Sequence, residues 1–306
     1  MNIFKALISG ATRSVRVWKG ILIIWFSTLL LVSLLALPMR AGMNSVLGSS
    51  MITEKLAKGI NIDVLTDFGS NISTILSSFS IGFFLMLFFA LLMNVFFAGG
   101  LFNTIKGKEN KFSSSGFFGG AGANFWSYLV ITVLICLIII SLGIIIIGVP
   151  LMIAKSSALE NEGVPSKVTK IVIAIFILVL PIFLLVADYA RAWQASSSKS
   201  ACFKAIGNGF RQTFRHFFSS YAVMAVVLII QVLYTGAVLI IMAGIKPGSK
   251  GGLFLLFLLT QLMFIIKILL RTWRYGIVTS LIEQNIHLKA SVPRVNLTTP
   301  DGKERF

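Results

Sequence analysis

The 306-residue chain is 57% hydrophobic and only 12% charged, with a mean hydropathy of +0.93. A soluble domain is roughly half apolar and a quarter charged, so this composition excludes an ordinary soluble enzyme or binding module. The net charge of +17 would indicate nucleic acid in a soluble protein, but here the basic residues flank long apolar runs. Charge in that position sets membrane topology and contacts anionic lipid, and we expect no nucleic-acid partner.

Six apolar runs are each long enough to cross a bilayer, which requires about 20 helical residues. We therefore predict an all-α fold: a polytopic integral membrane helical bundle. A single transmembrane domain is expected over residues 1–292, followed by a disordered cytoplasmic tail over 293–306. The predicted spans cover residues 20–39, 77–101, 125–153, 169–187, 221–244 and 252–270.

Prolines are expected to disturb two of these spans. Pro38, with Arg40 just beyond it, is predicted to end the first span. The third span is longer than a bilayer requires, so a tilt or a break is expected near Gly148–Pro150.

Three basic or glycine-rich segments precede the spans that leave the side of the termini, over residues 2–19, 113–126 and 188–221. The first and third place apolar residues on one helical face and most Lys and Arg residues off it. We predict three amphipathic helices lying in the membrane surface. The basic residues expected to face anionic lipid or a membrane partner are Lys5, Arg13, Arg16, Lys19, Lys204, Arg211 and Arg215.

The same three segments resemble one another. Residues 4–20 match 203–219 at five positions, and residues 116–130 match 209–223 at six. Gly10, Gly116 and Gly209 share one register. The hypothesis is a three-fold internal repeat of one in-plane helix plus a hairpin of two spans, a kind of construction common among membrane transporters. The alternative is that biased composition produces these matches.

Basic residues divide unevenly between the two sides of the membrane. Of the 27 Lys and Arg residues, 19 fall on the side that carries both termini. The connectors are short, which is where the positive-inside rule applies best. The sequence therefore predicts that both termini are cytoplasmic.

Polar residues inside the spans are the candidates for a ligand path. Asn94, Gln231 and Gln261 would either form interhelical hydrogen bonds or line such a path. Lys267 is the one clear ionisable residue within a span, and it forms a helical row with Arg271 and Arg274. Snorkelling to the nearby interface is the favoured explanation for Lys267.

Motifs for catalysis or cofactor binding are absent from the sequence. Ser196 and Lys199 have a nucleophile–base spacing, but none of the companion motifs occurs. Cys136 and Cys202 have no metal-site spacing. Asp188 is expected to pair with Arg191 one turn further on. We therefore expect no enzymatic activity, no cofactor and no metal.

Two stretches resemble a known group of proteins. Phe97–Phe117 contains Phe-Ala-Gly-Gly, a Lys-Gly-Lys turn, Phe-Ser and a Gly-Phe helix, and Asp188–Arg191 reads Asp-Tyr-Ala-Arg. This layout is similar to uncharacterised bacterial six-span membrane proteins and to the membrane domain attached to some glycerophosphodiester phosphodiesterases. The resemblance implies a multi-pass protein of the bacterial cytoplasmic (inner) membrane, of unassigned activity. The acid and histidine clusters of the phosphodiesterase domain are absent from this sequence, so no activity transfers.

Two functional hypotheses follow from the sequence. The first is a non-enzymatic protein that engages anionic lipid, a membrane-protein partner or a second copy through a basic, aromatic cytoplasmic face. The alternative is a transporter or channel for a small or lipidic solute, with Asn94, Gln231 and Gln261 along its path.

Overall fold

The computed structural model describes residues 3–47, 71–106, 112–156, 164–196, 201–215, 217–245 and 250–291. These parts form α-helices joined by short connections. A π-helical turn, Ile144–Gly148, links the fourth helix to the fifth. The helices are α1 Ile3–Arg16, α2 Trp18–Leu47, α3 Asn71–Lys106, α4 Ser114–Gly143, α5 Val149–Ser156, α6 Val164–Ser196, α7 Cys202–Arg215, α8 Phe217–Gly244 and α9 Lys250–Ser291.

Five helical stretches are long and apolar enough to cross a membrane: Gly82–Lys106, Ser114–Ile153, Val168–Ser196, Phe217–Gly244 and Gly251–Glu283. A sixth is obtained if α1 and the Trp18–Leu34 part of α2, which meet at an angle of 62°, are taken as one broken span. The prediction of an all-α, multi-pass membrane protein is confirmed in this form, with five or six spans.

Two helix ends differ from their predicted positions. Helix α2 continues through Pro38 to Leu47, since a proline in a membrane helix removes a backbone hydrogen bond without having to end the helix. Helix α9 continues to Ser291, well past the predicted end of the last span. The predicted tail at 293–306 lies outside the described residues.

The irregularity predicted near Pro150 is present as the π-helical turn. In this turn the Val149 N–H donates to the Ile144 carbonyl, five residues earlier. Proline has no N–H to continue the regular α-helical ladder, and a π-helical turn is one way a helix absorbs such an interruption. The chain then continues as α5.

Three helices form the centre of the bundle. Helices α3, α6 and α9 contact one another in all three pairs, while α2, α4 and α8 each contact two of them. In the predicted topology the central three are the helices that return to the side of the termini. The long apolar α9 thereby packs against both halves of the chain.

Short helical segments pack onto the central helices in three places: α1 on α9, the first turns of α4 on α3, and α7 on α6. Each contact depends on glycine. A Cβ atom at Gly10 would lie 2.8 Å from the Ile277 backbone nitrogen, and one at Gly209 would lie 2.6 Å from the Val186 carbonyl oxygen. Small residues allow helices to approach this closely in membranes.

The glycine-rich segment at the start of α4 departs from the prediction. It is not a separate helix, because α4 runs without interruption from Ser114 to Gly143. Gly116, predicted to share the register of Gly10 and Gly209, has only Ser113 side-chain atoms near it. The close backbone contacts with α3 are made by the residues that follow it, where Phe117 packs against Gly100 and Ala121 packs against Gly99.

Burial is concentrated where α1, α7 and the first turns of α4 meet the central helices; we call this the packed end. The largest fully buried side chains include Tyr128, Tyr189, Tyr275 and Phe102. Away from the packed end, the apolar surfaces of the long helices are mostly exposed, as at Phe84 (69%) and Ile240 (75%). Such continuous apolar surface is typical of helices that face lipid.

Candidate functional site: a buried ion cluster beside a cationic cavity

Asp188 is a fully buried carboxylate at the packed end, contributed by α6. The Arg274 Nε atom of α9 lies 2.6 Å from its Oδ2 atom, and Arg191 donates a hydrogen bond to Oδ1 at 3.3 Å. The predicted pairing of Asp188 with Arg191 is confirmed. The closer partner, Arg274, was not predicted, because it lies far from Asp188 in the chain and local spacing gives no indication of the contact.

Arg191 ties this ion cluster to α4. Its Nη2 atom donates to the Thr132 hydroxyl at 3.0 Å, and the Tyr128 hydroxyl donates to the Arg191 carbonyl at 2.7 Å. The network of Asp188, Arg191 and Arg274 therefore joins α4, α6 and α9. Buried charges in such a setting are tolerated when they are paired and hydrogen-bonded.

Tyr275 orders the arginine side chains of α9. Arg271 donates from Nε to the Tyr275 hydroxyl at 2.7 Å, and Arg274 lies over the Tyr275 ring, with 5.5 Å between its guanidinium carbon and the ring centroid. Phe102 stacks on the Tyr275 ring, with 4.4 Å between the two ring centroids. The two guanidinium groups are thus held in fixed positions.

Next to the ion cluster is a partly open cavity of about 390 Å³. Helices α2, α3, α8 and α9 form its walls. The lining residues are Ile24, Thr28, Leu31, Ala90, Met93, Asn94, Phe97, Gln231, Phe264, Lys267, Ile268, Arg271 and Arg274.

Three cations line this cavity. Lys267, Arg271 and Arg274 follow one another at steps of four and three along α9, so their Cα atoms span about 10 Å at 1.5 Å per residue. None of the described lining residues is acidic. Asp188, which is not among the lining residues, neutralises Arg274. The cavity consequently carries a net positive charge.

Arg271 is positioned by the protein yet retains free donors. Its Nε–H is used by Tyr275, and its Nη2 makes a long 3.4 Å contact with the Asn94 carbonyl. A guanidinium has five N–H bonds, so three remain available to a ligand. Planar guanidinium donors suit the oxygen atoms of phosphate and carboxylate groups.

The structure brings together three of the four polar residues selected from the sequence. Asn94, Gln231 and Lys267 all line the cavity. Gln261 does not, because its side-chain carbonyl accepts a hydrogen bond from Trp25 Nε1 at 3.0 Å. Gln261 therefore links α9 to α2, which is the interhelical alternative that the sequence left open.

The basic residues of α1 and α7 form a separate, outer surface. Arg13 forms a bidentate ion pair with Glu283 of α9, at 3.1 and 2.6 Å, and is only partly exposed. The other six candidates are exposed: Lys5 and Arg16 on α1, Lys19 at the start of α2, and Lys204, Arg211 and Arg215 on α7. Apolar side chains such as Phe203 (74% exposed) accompany them.

Within the described part of the chain, no three His, Cys, Asp or Glu residues lie close enough to hold a metal ion. No family model, no curated protein and no solved structure matches the sequence or the fold.

Proposed function

We propose that this is a non-enzymatic, multi-pass membrane protein that binds an anionic ligand in the cationic cavity. The observation that carries the proposal is the lining: Lys267, Arg271 and Arg274 face a space of about 390 Å³ with no acidic residue among its described walls. Pockets for small ligands typically enclose about 300–1,000 Å³, with apolar walls and a few polar groups. This cavity has the same construction.

The charges themselves favour binding over a purely structural role. Ionisable residues at membrane depth are costly and are retained where they are paired or bind a ligand. Arg274 is paired with Asp188, whereas Lys267 and Arg271 have no carboxylate within ion-pair distance among the described residues. A phosphate or carboxylate in the cavity would supply the missing counter-charge through charge-assisted hydrogen bonds.

The outer basic surface has a second part in this proposal. Helices α1 and α7 lie in the plane of the inner leaflet, with their exposed aromatic residues inserted and Lys204, Arg211 and Arg215 at the anionic headgroups. This arrangement makes the packed end cytoplasmic, with both termini on that side, in a bacterial inner membrane. A membrane-protein partner or a second copy of the chain is the alternative occupant of the same surface.

The three-fold internal repeat belongs to the proposed architecture. It is supported by three contacts that close a ring: the start of α4 packs on α3, α7 packs on α6, and α1 packs on α9. In each contact, the short segment of one unit packs on the second span of the unit before it. Two returning helices also share a charged–Tyr–small sequence, at Asp188–Ala190 and Arg274–Gly276. In both, the small residue contacts the glycine of a short helix, Gly209 in one and Gly10 in the other.

Transport of the ligand is the second candidate, favoured by the position of Asn94 and Gln231 in the cavity wall. Passage to the packed end would require the stacked Phe102 and Tyr275 rings to separate. A mid-membrane carboxylate, which a proton-coupled pump ordinarily uses, does not line the described cavity. Binding without transport therefore has the stronger support.

A ligand-induced shift in thermal stability tests the proposal. The full chain in non-ionic detergent would be heated with decyl phosphate or with an uncharged decyl glycoside. A ligand that binds the folded state stabilises it, by about 2.7 kcal/mol at one hundred times its dissociation constant. We expect decyl phosphate alone to raise the melting temperature.

Two double variants locate the effect. Lys267→Gln with Arg271→Gln removes two cavity charges, whereas Lys204→Gln with Arg211→Gln removes two exposed charges from α7 and serves as the matched control. The cavity variant should lose the shift and the control should keep it. An equal shift in both variants would show that the effect does not depend on the cavity cations, and it would contradict the proposal.

A further inference from the structure

We infer that the ligand of the cationic cavity is a phosphate-bearing lipid that enters from the leaflet on the packed side, and not a soluble anion. This inference rests on the proposed anion-binding function and adds the source of the ligand. It follows from the depth of the cations, the order of the cavity walls and the closure of the packed end.

If the last span ends at Leu270, as the sequence predicts, the cations lie at the depth of lipid phosphates. Lys267 lies three residues inside the predicted end of the last span at Leu270, and Arg274 lies four residues beyond it. At 1.5 Å per residue, the three cations extend from about 5 Å inside the hydrocarbon to about 6 Å outside it. The headgroup region on each side of a bilayer is about 5–7 Å thick, so a headgroup in this leaflet meets these side chains without leaving its usual depth.

The cavity walls change from charged to largely apolar with distance from the packed end. Helix α2 runs away from that end and contributes Ile24, then Thr28, then Leu31. Helix α9 runs toward it and contributes Phe264 before the three cations. A lipid has the same order of charged headgroup and apolar chain, whereas a free phosphate would leave the apolar wall uncovered.

The packed end offers no described route for a soluble anion. At the end of the cavity nearest the packed end, Asp188 forms an ion pair with Arg274. The fully buried rings of Phe102 and Tyr275 stack on each other next to this pair. The cavity is nevertheless partly open. Leu30 and Phe89, which neighbour the lining residues Leu31 and Ala90 in sequence, are 56% and 41% exposed. An opening between α2 and α3 on this side would therefore lie among apolar side chains that face lipid.

A second space beside Arg274 is too small to compete for the ligand. It lies between α6, α8 and α9 and has a volume of about 10 Å³, which is at most room for one water molecule. Ser220, Val223 and Met224 fill most of this gap. We therefore expect one lipid at the cationic cavity.

Native mass spectrometry of the full chain in non-ionic detergent can identify the source of the ligand. Phosphatidic acid and phosphatidylcholine would be titrated separately, and millimolar sodium phosphate would be added as a competitor. We expect one tightly bound phosphatidic acid, with phosphatidylcholine at least about tenfold weaker. Sodium phosphate should not displace the bound lipid.

Variants separate this inference from the proposed function. Lys267→Gln with Arg271→Gln should weaken phosphatidic acid binding about tenfold or more, whereas Lys204→Gln with Arg211→Gln should change it by less than about twofold. The single variant Lys267→Gln should fold normally, because this exposed side chain makes no described protein contact that its removal would break. It keeps the test interpretable if the double variant fails to fold.

Each alternative result overturns a defined statement. If sodium phosphate displaces the lipid and its effect depends on Lys267, the cavity binds soluble anions, and the lipid inference is wrong while the proposed function stands. If phosphatidic acid binding is the same in the cavity variant and in the wild type, both the inference and the proposed function are wrong.

Discussion

Replacing Asp188 by Asn tests how the ion cluster supports the bundle. Asp188 is fully buried and Arg274 is 15% exposed, so the substitution leaves a largely buried guanidinium without its carboxylate. Breaking a buried ion pair from one side typically costs about 3–5 kcal/mol. Arg191 retains its bond to Thr132, so most of this loss should come from Arg274.

Unfolding in mixed micelles with an increasing fraction of ionic detergent, followed by circular dichroism, measures this cost. Asp188→Asn, Arg274→Gln and the double variant form a double-mutant cycle. Contacting residues couple by about 0.5–3 kcal/mol, and we expect a value in the upper half of that range. As a control, Glu283→Gln breaks the more exposed pair with Arg13 and should cost no more than about 1 kcal/mol.

Additive costs within about 0.5 kcal/mol, the usual tolerance for independent sites, would refute the assignment of Arg274 as the principal partner of Asp188. An Asp188→Asn variant as stable as the wild type would refute the importance of the buried ion pair altogether.

Three other predictions concern packing, the cavity and topology. Gly10→Ala should destabilise the bundle and expose α1 to limited proteolysis. The control Gly119→Ala has no neighbouring atom within 4 Å of the new methyl group, so it should be neutral or should stabilise by about 0.5–1 kcal/mol. Equal effects of the two substitutions would contradict the α1–α9 contact. Gln231→Leu should weaken decyl phosphate binding and Gln261→Leu should not, as measured by the melting shift; the reverse order would place the ligand elsewhere. Reporter fusions at either terminus should be active in the cytoplasm only, and periplasmic activity at one terminus would overturn the predicted topology.

The spans could be predicted from the sequence because long apolar runs have few alternatives. A run of about 20 apolar residues must either cross a bilayer or lie in an unusually large core. Helix ends were harder to predict. The sequence at Pro38 and beyond Leu270 becomes polar, but the helices continue to Leu47 and Ser291, because an established helix gains one backbone hydrogen bond for each residue it adds.

Part of the candidate site was also visible in the sequence. Asn94, Gln231 and Lys267 stand out as polar residues within apolar runs, and all three line the cavity. Gln261 has the same appearance in sequence, yet it binds Trp25. Which amides face a cavity depends on how the helices rotate about their axes, and that is decided by packing.

The ion pair between Asp188 and Arg274 could not be assigned from local sequence. The two residues are far apart in the chain, and Arg274 belongs to a stretch with several basic residues. A usable indication was the charged–Tyr–small pattern common to Asp188–Ala190 and Arg274–Gly276. In contrast, the register shared by Gly116 with Gly10 and Gly209 was misleading, because the close contact in α4 lies near Ala121.

A structure of the protein determined in a lipid nanodisc containing phosphatidic acid would test the central claim most directly. The account predicts one lipid in the cavity, with its phosphate within hydrogen-bond distance of Arg271 and Lys267 and its acyl chain along Ile24 and Phe264. A cavity that holds only water, or that is closed by its own side chains while lipid phosphates contact α1 and α7 alone, would contradict it.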